Sequence, residues 1–373
     1  MKTKWIEWSD NWWVERNEAF FLIEKGGVLF RVDMNSQECN FISRIPGYDL
    51  DHSFSNIYCL KYEDVIWAIP AKEHAIWYYS LGEKTWGMIP IHFDHRLAVW
   101  MDSYEKNGSE LWLIDCGGNK FFKISLSEKK LEKEYVCSYQ GLAFTARHIV
   151  FDHKLYCVVE NKIYGFDCIT EKEMLYEIPG LSEELFLISH DGNNFWLSTR
   201  SDNNNIFVWN PKRNAIKEIE VSFSESRSVY LENRWTIYDS PRYMYSIVLG
   251  QYVWYIPMQC NTPIVYISGE GYDVHIFDIG EELDTDETLK KRRYAFKYSL
   301  LYVCEERYIG LYSFKNSDIF EIDTYTMSVN RKEYVFSDQT LLLLAKQYMS
   351  EHGYLREGNK KDERIFSILL ELG

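Results

Sequence analysis

The 373-residue chain is poor in proline, with 8, and nowhere places two cysteines in a C-x-x-C pair. Its eight cysteines are scattered at 39, 59, 116, 137, 157, 168, 260 and 304, which excludes a zinc ribbon and the disulfide framework of a small secreted domain. Several lie inside apolar runs, such as Cys157 in "LYCVV" and Cys304 in "LLYVC", and read as buried thiols of a reducing compartment. No run of 18 uncharged apolar residues occurs, and the opening "MKTKWIEWSD" has no apolar segment of signal-peptide length. The expectation is a cytoplasmic protein with no membrane partner. Positive charge is also short: 41 Lys and Arg stand against 56 Asp and Glu, a formal net charge of −15. Such a surface repels phosphate backbones and anionic lipid, so nucleic acid is not an expected partner. The one basic run, Lys290 to Arg293 in "EELDTDETLKKRR", is offset by the acids before it and reads as a solvated loop.

Catalytic motifs are missing as well. There is no G-x-S-x-G, no G-x-x-x-x-G-K-[ST], no H-E-x-x-H and no D-x-[DN]-x-[DN]-G loop. The sequence therefore assigns no catalytic residue, no cofactor and no metal.

What the chain has in abundance is aromatic side chains, 17% of its residues, a density that suits half-buried strands and points to an all-β fold. The stretch "VIWAIP" at 65 to 70 returns as "YVWYIP" at 252 to 257. Around the first, "DVIWAIPAKEHAIWYYSLGEKTWGMIPI" reads as three short strands, and similar triplets recur along the chain. In each triplet the middle strand ends on a small polar residue: Asp33, Ser80, Ser125, Asp167, Asn210, Ser268 and Asp323. A further apolar segment precedes most copies, as in "NIYCLKY", "LAVWMDS", "RHIVF" and "SLLYV". Four-strand units of about 40 to 50 residues are blades of a β-propeller. Seven blades are expected over residues 1–337, with six as the alternative because 222 to 250 is irregular. Trp67, Trp112, Trp196 and Trp254 are expected to pack between blades. Residues 338–373 are expected to form a short helical tail, capped by Ser337 or Asp338, that packs on the propeller or docks a partner.

"IWYYSLGEKTW" at 76 to 86 resembles the kelch pattern, in which a strand ends in Tyr and a small polar residue, turns, and resumes at a Trp. The doublets Gly26-Gly27 and Gly117-Gly118 stand where kelch blades carry a double glycine, at a close backbone approach. The resemblance, to a degenerate kelch-like propeller, runs over roughly residues 11 to 337, and five of the copies lack the doublet.

In a propeller, the connectors between blades share a face with the hairpins between second and third strands, at the mouth of the central channel. That places Asp51 and His52 of "DLDHS", Asp94, His95 and Arg96 of "FDHRL", Asp239 and Arg242 of "YDSPRY", and Arg293 of "KRRY" as candidate ligand-binding residues. Two Asp-His pairs suit general acid–base work or oriented imidazoles, and Arg242 suits a clamp on an anionic substrate. The plainer reading is that Asp and His cap turns. His153 and His190 fall on the opposite face. The function expected first is a non-enzymatic scaffold that engages a protein or peptide through the loop face and the tail. The alternative is an enzyme acting on a small polar molecule, such as a sugar or sugar acid. A third reading is carbohydrate stacking on Trp12, Trp13 or Trp100.

Overall fold

A computed structural model describes residues 12–15, 17–23, 26–48, 52, 54, 57–99, 109–139, 144, 148–200, 205–221, 243–257, 262–281, 297–314, 316, 318–340 and 343–344. Seven antiparallel four-stranded sheets form in chain order, the blades of a β-propeller. Blade two is representative: Ile57–Tyr62, Val65–Pro70, Ala75–Ser80 and Thr85–Pro90. The segment ahead of each triplet is indeed a first strand, from Leu97–Val99 in blade three to Tyr298–Cys304 in blade seven. Of the irregular region, residues 222–242 lie outside the described residues, and from Tyr243–Leu249 onward an ordinary blade six follows, so the count is seven.

The strand-ending residues explain the repeat. Asp33, Ser80, Ser125, Asp167, Asn210, Ser268 and Asp323 are each the last residue of a third strand. Each accepts a backbone N–H from the turn that follows: Ser36 on Asp33, Glu83 on Ser80, Glu128 on Ser125, Thr170 on Asp167, Arg213 on Asn210, Asp273 on Ser268 and Thr326 on Asp323. A short side-chain oxygen is what reaches back over such a turn. Each turn then carries one left-handed residue, Gln37, Lys84, Lys129, Glu171, Asn214, Tyr272 or Met327, which swings the chain into the fourth strand. The small polar residue is thus a turn device repeated seven times.

These bonds also make the fold acid-sensitive. Amides of Ser36 and Asn35 hold Asp33 below the usual carboxylate range, those of Thr170 and Ile169 do so for Asp167, and the Arg307 guanidinium does so most strongly for Asp323. A depressed folded pKa stabilises above the unfolded value, about 4, and that stability is lost as pH falls through the folded values. Thermal melts are expected to be flat from about pH 7 to pH 5 and to drop below about pH 4. Asp323→Asn should lower the midpoint at neutral pH and shrink the acid drop.

The described chain separates into two compact units, one taken from Met1–Ile91, Leu300–Tyr312 and Ser317–Gly373, the other from His92–Ser299 and Ser313–Asn316. In the second, alternate residues of one strand serve two cores. Leu155, Cys157 and Val159 join Trp112 and Phe121 of blade three, whereas Tyr156 and Val158 join Phe195 and Trp209 of blade five. Trp196 faces the other way, toward Val253 and Tyr255 of blade six. Burial of both faces is why the middle strands read as nearly unbroken apolar runs. Trp67, Trp112, Trp196 and Trp254 are all fully buried. Five of the cysteines, 39, 59, 116, 137 and 157, are buried, Cys168 and Cys304 are half-buried, and Cys260 lies outside the described residues.

In the first unit, Phe20, Leu22 and Leu29 of blade one pack with Ile57, Ile66 and Ala68 of blade two. The amino-terminal segment reaches blade seven, where Trp12 donates its N–H to the Leu301 carbonyl at 2.6 Å. A fifth strand, Val335–Phe336, then adds in parallel to the outer edge of blade one, pairing with Glu38 and Cys39. Ser337 caps the helix that begins at Asp338 by accepting the Thr340 N–H at 3.2 Å. Thr340 is itself buried and accepts the Phe41 N–H at 2.9 Å. Val335, Phe336 and Thr340 are thus bonded to the outer strand of blade one. The tail beyond Leu344 lies outside the described residues.

Candidate functional site

In each blade the connector to the next blade and the second hairpin lie at the same end of the strands. Within the second unit, the connector ahead of blade three is pinned by one side chain. Asp115 ends the second strand of blade three with its carboxylate fully buried. Its Oδ2 accepts the N–H of Asp94 at 3.1 Å, and its Oδ1 accepts those of His95 at 3.1 Å and Arg96 at 3.2 Å. A buried carboxylate needs donors on this scale, and three amides supply them. The His95 ring lies with Nδ1 3.4 Å from Asp115 Oδ2, while its side chain stays 51% exposed. Asp94 turns outward toward Lys120, at 3.7 Å. The carboxylate that orients His95 thus comes from 20 residues downstream and not from the adjacent Asp.

The glycine doublet makes room for this arrangement. A Cβ on Gly118 would lie 2.5 Å from Asp115 Oδ2, and one on Gly117, whose φ is +100°, would press on the His95 ring. Gly117 and Gly118 also exchange 2.8 Å backbone bonds with Phe144, in the connector that leaves the blade. Gly118→Ala must push Asp115 off its amides. The expected loss is about 2–3 kcal/mol, read by denaturant melts, together with faster amide exchange at residues 94–96.

The first unit has its own version. His52 Nε2 lies 3.3 Å from Glu73 Oε1, in the second hairpin of blade two, and the Tyr48 hydroxyl donates to Glu73 Oε2 at 3.2 Å. Tyr48 packs against the His52 ring at 4.4 Å. The doublet Gly26-Gly27 receives this connector, with the Gly26 N–H donating to the His52 carbonyl at 2.7 Å and a Gly27 Cβ falling 2.7 Å from Phe54. Here too a carboxylate distant in sequence, 21 residues away, meets the ring. Asp51, Asp239, Arg242 and Arg293 lie outside the described residues. His153, in the hairpin between the first two strands of blade four, and His190, which ends the first strand of blade five, sit at the other end of the strands. Trp12 is no sugar platform: it is 2% exposed and stacked on Phe21 at 4.5 Å.

The pattern did not indicate a further polar cluster, in the second unit. Glu281, 8% exposed, accepts the hydroxyls of Tyr298 at 2.9 Å and Ser313 at 2.5 Å and the Asn316 amide at 2.8 Å. Beside it Lys297, 2% exposed, donates to the Thr262 carbonyl at 3.1 Å. Glu281 opens the run read above as a solvated loop, and at this residue that reading is corrected. The one signal in the sequence was Lys297 itself, a charge set in the apolar run "YAFKYSLLYV". Among the described residues no group of three or more His, Cys, Asp or Glu is placed to hold a metal ion.

Compared with known proteins, the chain matches no protein-family model and no curated protein sequence. Its fold does match solved structures. A streptogramin B lyase superposes with a TM-score of 0.58 at 11% identity, over 89% of this chain and 96% of that one. The virginiamycin B lyase of Staphylococcus aureus gives 0.58 at 12%, over 85% and 95%. A computationally designed protein, Ika8, gives 0.56 at 8%, over 88% and 87%. At such identities the likeness establishes the β-propeller fold alone.

Proposed function

We propose that the protein is a non-enzymatic binding scaffold that engages a protein or peptide partner through its connector loops. The observation that carries this reading is the connector at Asp94, His95 and Arg96. All three residues are exposed, yet their backbone amides are fixed on the buried Asp115. Polar side chains displayed from a backbone that does not have to be ordered on binding are the economical way to recognise a partner surface. The Tyr48, His52 and Glu73 group supports the same reading within the first unit. The kelch resemblance belongs to the proposal as well, carried by the sequence pattern at 76 to 86 and by the two glycine doublets. A cytoplasmic location remains part of the proposal.

One observation favours the second reading, turnover of a small polar molecule. The His95 ring rests against a buried carboxylate and stays half exposed, an arrangement suited to proton transfer. Capture from a lysate of the source cell separates the two readings, using wild-type protein, Arg96→Glu, and a control altered at the other end of the strands, Asp152→Lys. The scaffold reading expects a stoichiometric partner with wild type and with the control, and at least about tenfold less with Arg96→Glu, the scale of one charge-assisted contact. Equal recovery by all three overturns it.

A further inference from the structure

The turn "SHDGNN" at 189 to 194, in blade five of the second unit, is built around a histidine that accepts a backbone hydrogen bond. His190 Nδ1 takes the Gly192 N–H at 2.9 Å. A ring nitrogen accepts only while it carries no proton, so the closed turn requires the neutral ring with its hydrogen on Nε2. Two aromatic rings hold the imidazole in place. Its centroid lies 4.0 Å from that of Phe151, which ends the first strand of blade four, and 4.6 Å from that of Phe195. The turn carries more than itself. Its next residue, Asp191, accepts the N–H groups of Asn193 at 2.8 Å and Asn194 at 2.7 Å, and the indole N–H of Trp196 at 2.7 Å. Trp196 is the fully buried ring that packs with Val253 and Tyr255 of blade six. Asn194 Oδ1 accepts the Asn210 amide at 2.9 Å, which ties the turn to the end of the third strand. Burial of Asp191 works against its charge, but the Trp196 indole and the two amides hold its carboxyl below the usual carboxylate range. Asp191 therefore stays ionised near neutral pH and is not the group that titrates there.

We propose that His190 is a proton-sensitive latch: the neutral ring closes the turn at residues 191–194, and proton uptake on Nδ1 releases it. The added proton sets one N–H against another, so the ring and Gly192 must part. The bond is present above the titration of the ring and is lost as pH falls through it, the order that follows when the neutral form is the bonded one. An ordinary histidine titrates near about 6.5. The release is local and separate from the carboxylate-driven loss of the whole fold below about pH 4. The charged groups on the elements packed against the turn are Asp152, His153 and Lys154 beside Phe151, and Lys212 and Arg213 beyond Asn210. Asp152 and Lys154 pair with each other at 3.5 Å. Of these groups only His153 titrates near neutral pH, so it is the control the test needs. The latch lies at the end of the strands away from the connectors, and it stands or falls independently of the reading given for them.

The test is NMR of the full-length protein with nitrogen-labelled histidine, glycine and tryptophan. At about pH 8, well above an ordinary histidine, His190 is expected to show a bare Nδ1 and a protonated Nε2. As pH falls to about 5.5, the exchange protection of the Gly192 amide, corrected for the intrinsic rate at each pH, should drop about fivefold with the midpoint of the ring titration, the scale of one neutral hydrogen bond. The Trp196 indole signal should shift with the same midpoint. His190→Asn keeps an oxygen acceptor two residues before Gly192 and carries no titrating group, so its Gly192 protection should be flat over that range. His153→Asn, at a left-handed position of φ +56° that asparagine tolerates, should leave the wild-type response intact. The tautomer is read on the unaltered protein, so the proposal stays falsifiable if a variant fails to fold. A proton on Nδ1 at about pH 8, Gly192 protection that stays flat while the ring titrates, or a response that survives His190→Asn or vanishes with His153→Asn each overturns the latch.

Discussion

A chain that stops after Lys332 is expected to be about 5 kcal/mol or more less stable than one that stops after Leu344. The difference lies in a short segment. Tyr334, Phe336 and Thr340 are 2%, 5% and 2% exposed, against partners in or beside blade one. Tyr334 meets Trp12 at 5.1 Å, and Phe336 meets Phe30 at 5.1 Å. Burying two aromatic side chains contributes about 3–6 kcal/mol, and the bonds from Val335 N–H to the Gln37 carbonyl and from Phe41 N–H to Thr340 Oγ1 add about 0.5–1.5 kcal/mol each. That sum is a large share of the 5–15 kcal/mol that holds an ordinary domain together. Removal also bares the outer edge of blade one, a template for intermolecular strand pairing. Urea melts and light scattering on both truncations check this. Phe336→Ala, expected to cost about 3–4 kcal/mol, separates the packing of one ring from the loss of the whole segment. An unchanged urea midpoint for the chain ended at Lys332 would show that the strand closes nothing. The result also guides any study of the tail. A truncation at Ser337 removes Thr340 and confounds loss of the tail with damage to blade one, so the cut belongs after Leu344.

Glu281→Ala is the point change expected to do most harm, about 3–5 kcal/mol. Three donors point at this carboxylate from Tyr298, Ser313 and Asn316, and a methyl group removes the acceptor they share. Each orphaned buried donor costs about 1–3 kcal/mol, less whatever water or rotation recovers. Glu281→Gln is a sharper probe. Its carbonyl oxygen can keep the Ser313 and Asn316 bonds on one side, and its amide can donate to the Tyr298 hydroxyl, which then reverses its role. The expected cost is about 1 kcal/mol. Differential scanning calorimetry of the two variants should order them wild type, Gln, Ala. Equal and small losses would mean that Glu281 is solvated in solution.

Much of this fold was legible because its signals are local. A small polar residue that caps its own turn, as Asp33 and Ser80 do, marks a third-strand end without knowledge of any distant contact. The alternation at 155 to 159, with successive residues feeding two cores, appears in the sequence as an unbroken apolar run and requires sheets covered on both faces. What escaped was set by contacts across long separations. His52 and His95 were found, but their partners Glu73 and Asp115 lie 21 and 20 residues away, on second hairpins and strand ends that no adjacency rule identifies. Glu281 meets Ser313 and Asn316 across 32 and 35 residues. Its place at the head of an acidic run disguised a buried residue as a solvated one. The closing strand is two residues long, too short for any periodicity to register.

The claim that the connector loops form the recognition surface is tested most directly by photo-cross-linking in the source cell. A photoreactive amino acid would be placed singly at position 96, in the connector ahead of blade three, and at position 153, at the other end of the strands. A discrete covalent adduct from position 96 and none from position 153 is the predicted result. Adducts from position 153 alone, or from neither position, would contradict the scaffold reading.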